Sequence, residues 1–570
     1  MKIRIKEAPL WHFVLNCLAY VPIACDYAIQ TGNFSFRTGI CAVCVLCLLI
    51  FGMTYNIKTL LRYYSGGTSI YNLVKDNLGA YPAVFTAAAS IADCVLTGVI
   101  MSLYFAYFTE RIFTSGDFRY TVPISCLAVI FVGVVLSVKK RLHSLVSEIM
   151  AIVFAVFVVG AFVFLAFRVH LFDYGRLVLG KTDDFSVIKV IIALSMGAIG
   201  FNPLRYIDRS GSRNRAKGVL RCALCVVSIV FIITLLASYF GLAQSDGLCA
   251  DKIISGVFHN KIIIRIFLVF MSLFMLVCAY NSFSALSLIS EEMAKDKYFP
   301  TLFRNNKDDV MFAVGNGLSA LLILIGVLIS GGRLFALIPI YMISVFSASV
   351  IGLYALSKKA DTFRRRIMSM TGCAVSLVLI CFSLYVGKNA WVIFPIILGI
   401  GLFMLFVSDY YEKTDQSLAL GKDYYDVPSV RHTSVVIITD LDKGIVPAVQ
   451  YAMALSEDCR AVYVASDDRE EDFLTDNWEY YFSDVPLVVL KNKENNNVIK
   501  PVLKYINTSL KNNNLGFITV VIPEYIPSTP FYMIFHRNYA FILRLLLGFK
   551  RGVVTASVPY WSEAGGKLRK

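Results

Sequence analysis

The residue best suited to chemistry is Asp93, an acid that stands alone in a long apolar stretch. Segment 80–108 reads AYPAVFTAAASIADCVLTGVIMSLYFAYF and contains no other charged side chain. If this segment crosses a membrane, its carboxylate must face a wet cavity, a cation or a hydrogen-bonding partner. Thr97 follows one helical turn later on the same face, so hydroxyl and carboxylate are spaced to serve one site. The alternative is a structural hydrogen-bond network between helices, a common role of polar side chains in membranes.

Other polar side chains lie beside helix breakers in two further apolar segments. The first segment carries Tyr20 two residues before Pro22, and the sixth carries Ser195 and Asn202 within ALSMGAIGFNPLRY. Broken helices at corresponding positions of two halves expose backbone carbonyls to an ion or substrate in inverted-repeat transporters. Segments one and six are corresponding positions in a five-plus-five repeat. Ordinary kinks filled by neighbouring side chains are the alternative.

Asn281 in the eighth apolar segment and Tyr341 in the tenth are candidates for the same cavity. Each is equally suited to a hydrogen bond between helices. Asp26, near the outer end of the first segment, is the other acid well inside a segment. No lysine, arginine or histidine lies near the middle of a segment, so a histidine proton relay is not expected.

The composition indicates an integral membrane protein. Of 570 residues 57% are hydrophobic and 16% charged, and the mean hydropathy is +0.66. Soluble domains usually have about 25% charged residues. Twelve apolar segments are long enough to cross a bilayer. They lie near 10–29, 38–60, 80–108, 121–138, 146–168, 187–204, 219–242, 263–290, 311–330, 334–357, 367–386 and 389–408.

The basic charge belongs to the membrane half. Residues 1–408 hold 36 of the 54 Lys and Arg residues but only 19 of the 39 Asp and Glu residues. If the N-terminus is cytoplasmic, the inner loops carry 24 of those basic residues and the outer loops carry 12. This bias predicts a cell-membrane protein with both termini in the cytoplasm. Because this charge sets topology, it implies no nucleic-acid partner. The richest inner loops are also suited to contact anionic lipid.

After residue 408 the chain changes character, which predicts a transmembrane domain over 1–408, a linker over 409–432 and a cytoplasmic domain over 433–570. Five short β-branched runs alternate with helical patterns near 444–456, 469–482, 496–513 and 530–548. The runs are SVVIIT, AVYVAS, PLVVLK, FITVVIPEY and VVTASVPY. Such alternation is typical of an α/β domain with a mainly parallel sheet.

The sequence indicates no enzyme and no cofactor. No GxGxxG or GxxxxGK[ST] motif follows the first strand, although Gly444 at the start of a helix could still approach a phosphate, so a nucleotide regulator is left open. The cysteines lie mostly in apolar runs without ligands at metal-binding spacing, so no metal is expected beyond a monovalent cation. The apolar last helix is suited to pack on the membrane half or on a second copy of the chain.

Two long stretches resemble the KimA-type potassium importers of the amino acid–polyamine–organocation (APC) superfamily. The first is YYSGGTSIYNLVKDNLGAYPAV with the following IADCVLTGVIMS, and the second is PEYIPSTPFYMIFHRNYAFILRLLLGFKRGVVTASVPY. The resemblance covers nearly the whole chain. It implies a LeuT-like five-plus-five fold with 12 transmembrane helices, proton coupling, and a homodimer formed through the cytoplasmic domains.

The resemblance also implies a set of ion-binding residues. Asp93, Thr97, Asn202 and Tyr341 match family positions in or near the cation path. Tyr20 is placed there too, and Ser195 stands where the family has a threonine.

Two carboxylates of the family pattern are absent from the sequence. His12 or Phe13 occupies the position of an acid in the first span, and Ala198 replaces a glutamate in the sixth. The chain is therefore identified as a divergent member.

Three functions are compatible with these observations. The first is proton-coupled uptake of potassium or another monovalent cation. The second is an amino-acid or amine permease, although the first span lacks the glycine-rich break that holds a substrate carboxylate in such carriers. The third is a transport-inactive membrane sensor, which the missing carboxylates favour and the broken-helix pattern does not.

Overall fold

A computed structural model describes most of the chain, and its contacts divide the chain into two compact units, Met1–Ala419 and Leu420–Lys570. The predicted domain boundaries themselves stay a prediction. The described residues are 23, 26–27, 36–64, 69–113, 119–138, 149–150, 152–154, 156–160, 163, 232, 260–303, 309–418, 432–438, 441–465, 468–491, 499–512, 516–526 and 539–560.

The described part of the first unit is helical. Its helices are α1 (Phe36–Tyr63), α2 (Ile70–Leu78), α3 (Ala80–Phe113), α4 (Thr121–Val138), α5 (Lys261–Lys295), α6 (Asp309–Ser330), α7 (Leu334–Lys359), α8 (Phe363–Val386) and α9 (Ile393–Leu418). Eight of the twelve predicted apolar segments coincide with α1 and α3 to α9. The segments near 10–29, 146–168, 187–204 and 219–242 lie wholly or largely outside the described residues.

Five of the described helices are long and apolar enough to cross a membrane. They are α3, α5, α7, α8 and the stretch Ala390–Leu418, which includes α9. The helices α1, α4 and α6 contain shorter apolar runs. These helices confirm the coarse prediction of an α-helical membrane protein, while the count of twelve spans stays a prediction.

The centre of this unit is α3. In its most apolar window 83% of the residues are buried, against 22% for α8. Small residues allow this packing: a Cβ added at Gly98 would lie 2.7 Å from Cδ1 of Ile323, and one at Gly326 would lie 2.7 Å from Cγ2 of Val99. Glycines of this kind let membrane helices approach closely, so α3 and α6 are in tight contact.

The last helix of the first unit continues past the predicted start of the linker. Residues 409–418 are the final turns of α9. Asp409 and Lys413 form an i,i+4 ion pair there, and Lys297 from the end of α5 pairs with Asp415. The polar composition of this stretch marked its exposure to water, but exposed polar residues continue a helix readily when their charges pair along it.

The second unit is a parallel α/β sheet, as predicted. Its strands are β1 (His432–Ile438), β2 (Asp458–Ala465), β3 (Leu487–Lys491), β4 (Phe517–Tyr525) and β5 (Val553–Tyr560). The strand order is β3-β2-β1-β4-β5, and every neighbouring pair is parallel. The helices between them are α10 (Ile445–Leu455), α11 (Asp468–Tyr481), α12 (Ile499–Asn512) and α13 (Tyr539–Gly548).

Each face of the sheet has its own hydrophobic core. One core joins Val436 of β1 to Leu474 and Trp478 of α11. The other joins Val435 to Val502 of α12 and Leu543 of α13. Because adjacent residues of a strand point to opposite faces, a strand buried on both sides reads as a continuous apolar run. This is why VVII was recognisable in the sequence.

Gly444 is closely packed at the start of α10. Its N–H donates to Oδ1 of Asp442, whose Oδ2 accepts a hydrogen bond from the Tyr560 hydroxyl. An added Cβ would lie 2.5 Å from the Tyr560 ring. The backbone donor that a phosphate would need is thus already bound to a carboxylate, and an aromatic ring lies against the glycine.

We predict that Gly444→Ala destabilises the sheet. The planar Tyr560 ring cannot yield as a flexible chain end would, so overpacking should cost about 1–3 kcal/mol. Hydrogen exchange of full-length protein should be faster in peptides covering β1 and β5. The matched control is Gly548→Ala in α13, where an added Cβ meets no atom of the described residues within 4 Å. Equal exchange rates in both variants would contradict the prediction.

Candidate functional site

The structure buries Asp93 completely, near the middle of α3. Its side chain is 1% exposed, and the Thr97 hydroxyl, 8% exposed, donates to its Oδ1 at 3.3 Å. Asp93 is about 20 Å from the first residue of α3 at a rise of ~1.5 Å per residue. The predicted pairing of the carboxylate with the hydroxyl one turn later is therefore present.

Two serines from neighbouring helices brace the Asp93 turn. Ser282 of α5 donates to the carbonyl oxygen of Cys94 at 2.5 Å, and Ser344 of α7 donates to that of Ala89 at 2.8 Å. Both serines are buried. The two accepting carbonyls lie on either side of Asp93, so its backbone position is fixed from two sides. Buried alanines along α3, among them Ala88 and Ala92, let the neighbouring helices come this close.

Tyr341 lies at the level of Asp93. The first turn of α7 and the end of α3 line one cavity, with Leu334 and Leu103 among its walls, so the two helices run in opposite directions. Ser344 contacts Ala89, and Tyr341 precedes Ser344 by three residues on α7. Because the helices are antiparallel, Tyr341 lies about 4.5 Å further along α3 than Ala89, which is close to the level of Asp93. Tyr341 is 1% exposed. The structure thus brings this predicted residue into the same layer of the protein.

Asn281 of α5 also lies in that layer. It precedes Ser282, which contacts the residue after Asp93, and it is fully buried. It has at least one further interaction in the protein. Both roles considered from sequence, lining a cavity and joining helices, remain compatible with this position.

The predicted site residues Tyr20, Ser195 and Asn202 lie outside the described residues. Asp26 is described, and it is 3% exposed and accepts a hydrogen bond from the Tyr104 hydroxyl at 3.2 Å. Tyr104 is three turns beyond Asp93 on α3, about 16 Å along the axis. Asp26 therefore belongs to a different layer and does not replace a carboxylate beside Asp93.

The residues at the level of Asp93 have the chemistry needed to bind a small cation. Among the described residues this layer offers one carboxylate, with hydroxyls beside it and apolar helices around it. An ionised carboxylate is costly to bury unless an opposite charge or hydrogen-bond donors compensate it. In a medium of low dielectric constant its attraction for a cation is correspondingly strong.

The short helix α2, which precedes α3, is hydrogen-bonded to the end of α5. Glu292 accepts hydrogen bonds on Oε1 from the Ser69 hydroxyl at 2.8 Å and from the Asn72 side-chain amide at 2.5 Å. Ser69 also caps α2 by accepting from the Asn72 N–H. Gly79, with a φ of +94° that favours glycine, then turns the chain from α2 into α3. One carboxylate thus holds both the start of α2 and its cap.

A second carboxylate of α5 extends this contact. Asp296 accepts hydrogen bonds on Oδ2 from Tyr71 and from Lys75, both at 2.7 Å. Burial, and then this bond to Asp296, raise the pKa of Tyr71 well above its ordinary value. The hydroxyl consequently remains a donor throughout the physiological range. Lys75 and Asp296 are both about one-third exposed, so their ion pair itself contributes little.

Sequence analysis missed the residues that hold Asp93 and α2 in place. Each of these residues lies within three positions of an apolar residue that the helical pattern predicts to be buried. They are Ser282, Ser344 and Glu292. A polar residue on the buried face of a membrane helix is the signal that could have found the two serines. Their partners, however, are backbone carbonyls, and no side-chain pattern identifies those.

Comparison with known proteins adds a decisive observation. The family model described as the KimA potassium transporter C-terminal domain matches residues 430–560. The chain is also 24% identical over 553 residues to Potassium transporter KimA of Bacillus subtilis (strain 168), covering 91% of this chain and 88% of that protein. This chain is a divergent KimA homologue. The resemblance expected from its two long motifs is thereby confirmed.

The homology extends to both units of the chain. The family model covers the parallel sheet from before β1 to the end of β5, and the full-length match includes α3 with Asp93. Together with the apolar helices, the match relates this chain to membrane transport proteins and not to enzymes.

We predict that Glu292→Ala loosens α2. The variant removes the charged acceptor for Ser69 and Asn72, and hydrogen bonds to charged groups are worth about 1.5–3 kcal/mol. Trypsin should therefore cut after Lys75 at least about tenfold faster in folded full-length protein, since each ~1.4 kcal/mol changes an opening equilibrium tenfold.

The control for this variant is Glu291→Ala. Glu291 pairs with Lys295 in an i,i+4 ion pair whose lysine is 45% exposed. Such pairs contribute about 0.3–0.5 kcal/mol, so cleavage should stay near the wild-type rate. Faster cleavage in the control than in Glu292→Ala would show that Glu292 does not hold α2.

Proposed function

We propose that this chain is a secondary active transporter for the uptake of potassium or another monovalent cation, coupled to protons. Asp93 supplies the charge of the site, and Thr97 supplies a hydroxyl oxygen. Tyr20, Ser195, Asn202 and Tyr341 complete the proposed ion path. The buried, braced carboxylate in a homologue of a potassium transporter is the observation that carries this proposal.

The chemistry of the Asp93 layer favours a weakly hydrated cation. A transported ion must exchange its water shell for protein oxygens, and selectivity depends on the number and field strength of those oxygens. One carboxylate among neutral hydroxyls neutralises one positive charge. A divalent ion would keep an uncompensated charge in an apolar bundle, at a large desolvation cost.

The proposed architecture is a LeuT-like five-plus-five repeat of the APC superfamily with 12 transmembrane helices and both termini in the cytoplasm. The helix breaks around Tyr20 and Asn202, and the basic inner loops, support it from the sequence. In the structure, α3 runs antiparallel to α7 and contacts α5 through Ser282, so these helices pack closely around Asp93.

Flux into liposomes tests the proposed function. Purified protein should take up potassium and rubidium, and an inward proton gradient should accelerate uptake. Uptake of an amino acid or an organic amine in place of potassium would favour the permease. A wild-type protein that moves none of these solutes under either condition would overturn the transporter proposal.

We predict that Asp93→Asn abolishes or uncouples this uptake. The amide keeps the shape of the side chain and loses its charge, and a charged interaction worth about 1.5–3 kcal/mol corresponds to roughly 10–100-fold in uptake. Uptake is measured per correctly folded protein, together with its dependence on the proton gradient. Undiminished and still proton-dependent uptake would remove Asp93 from the mechanism.

The matched control is Asp26→Asn. Asp26 is also buried and hydrogen-bonded, but its partner Tyr104 lies about three turns from Asp93 along α3. Its loss of charge should leave proton-dependent uptake near the wild-type level. If both variants lose uptake in step with thermal stability, the acids have a structural role and the proposed site is wrong.

We also propose that two copies associate through the second unit. Helix α13 buries Leu543 and Leu547 against the sheet. Its other face exposes Phe541, Ile542, Leu545 and Leu546, of which Leu545 is 55% exposed. Contiguous exposed apolar surface of this kind marks an interaction site, and a second copy presents the same surface in return.

We predict that Leu545→Glu weakens this association. A carboxylate in the middle of an apolar interface is desolvated without a partner, so the dimer should dissociate at least about tenfold more readily. Mass measurement of full-length protein in detergent checks this. The control is Phe473→Glu on α11, which is 67% exposed and outside the proposed interface. An unchanged dimer mass for Leu545→Glu, or a monomeric wild type, would count against the interface.

A further inference from the structure

Ser90 is a buried hydroxyl whose oxygen has no hydrogen-bond partner in the described protein. Its side chain is 3% exposed, and it lies on α3 one turn before Asp93. A buried hydroxyl ordinarily finds an acceptor, because leaving it unsatisfied costs free energy. The unsatisfied hydroxyl of Ser90 therefore needs a physical explanation.

Other hydroxyls of the same helix show what Ser90 does not do. Thr86, Ser102 and Thr109 each donate to the carbonyl four residues earlier, at 2.7 to 2.8 Å. This local bond is the ordinary solution for serine and threonine in a membrane helix. The Ser90 hydroxyl departs from that solution in the turn before Asp93.

The position of Ser90 connects it with the two predicted ligands on α3. Ser90 and Thr97 are seven residues apart, which is close to two full turns, so they share one face of the helix. Asp93 lies between them along the axis, about 4.5 Å beyond Ser90 and 6 Å before Thr97. Three oxygen-bearing side chains thus follow one side of α3 through the buried layer.

The backbone around Ser90 is held in place by contacts that do not use its side chain. Ser344 bonds the carbonyl of the preceding residue, Ala89, and Ser282 bonds the carbonyl of Cys94. The hydroxyl of Ser90 is therefore held at a fixed depth, beside an acid, with its oxygen available. Such an oxygen is a neutral ligand for a monovalent cation, in the way that hydroxyls and carbonyls replace a hydration shell.

We propose that the Ser90 hydroxyl is a direct ligand of the transported cation. The inference rests on the proposed function, since it adds a residue to the same site. Asp93 supplies charge, and Ser90 and Thr97 supply neutral oxygens from one turn before it and one turn after it. In this arrangement Ser90 contributes to affinity for potassium, while its own removal does not harm the fold.

The variant Ser90→Ala tests this, because a ligand and a structural hydroxyl predict opposite results. A ligand's loss should raise the potassium concentration for half-maximal uptake about 2–10-fold, the range expected for one neutral interaction. Potassium-induced thermal stabilisation of the purified protein should shrink as well. In potassium-free choline buffer, however, the variant should be at least as stable as wild type.

Two further variants sharpen the test. Ser102→Ala removes a buried hydroxyl from the same helix that is bonded to the carbonyl of Gly98, and it should leave the response to potassium unchanged. Ser90→Thr keeps a hydroxyl and should restore most of the affinity for potassium. Rubidium, tested in parallel, should follow the same order of variants.

The outcomes separate this inference from the function on which it rests. A wild-type response to potassium that Ser90→Ala leaves unchanged would overturn the role of Ser90 alone. Loss of stability in choline buffer, in step with uptake, would also overturn it by showing a structural role. A wild type without any response to potassium would overturn the proposed function, and the ligand role of Ser90 with it.

Discussion

An acid that must be buried far from bulk water is the constraint on which the membrane unit depends. Asp93 is 1% exposed in the middle of a 34-residue helix. Removing an ionised carboxylate from water costs several kcal/mol even after a protein relaxes around it, a cost of about the size of a whole domain's net stability. The surrounding helices can therefore pack as they do only if this charge is compensated at its own depth.

The contacts around Asp93 separate the positioning of the acid from its neutralisation. Ser282 and Ser344 donate to the backbone carbonyls of Cys94 and Ala89, and not to the carboxylate. They fix the helix turn without changing the charge of the acid. A lysine or arginine at either position would have formed a permanent ion pair with Asp93 and neutralised its charge. Ser282 and Ser344 therefore position the acid without themselves neutralising it.

Properties encoded locally were predictable from the sequence. The Asp93–Thr97 spacing follows from helical periodicity, and the β-strands of the second unit follow from short β-branched runs between turn residues. The length of α9 was not predictable in the same way, because its polar final turns look like a linker until Lys297, more than a hundred residues earlier, is seen to pair with Asp415. Likewise, the acceptors of Ser282 and Ser344 depend on the relative height of two helices, and no composition or period encodes that height.

Helix α5 links the Asp93 layer to helix α2, which precedes α3. Ser282 contacts the turn of Asp93, and Glu292, ten residues later on the same helix, holds the start of α2. The two contacts are about 15 Å apart along the axis of α5. A hydrogen bond weakens steeply when its donor and acceptor move apart, and the movement that breaks it is much smaller than the rise of one helical turn. Helix α5 therefore cannot slide along α3 without breaking both contacts, and α2, α3 and α5 keep their mutual register as long as both are intact.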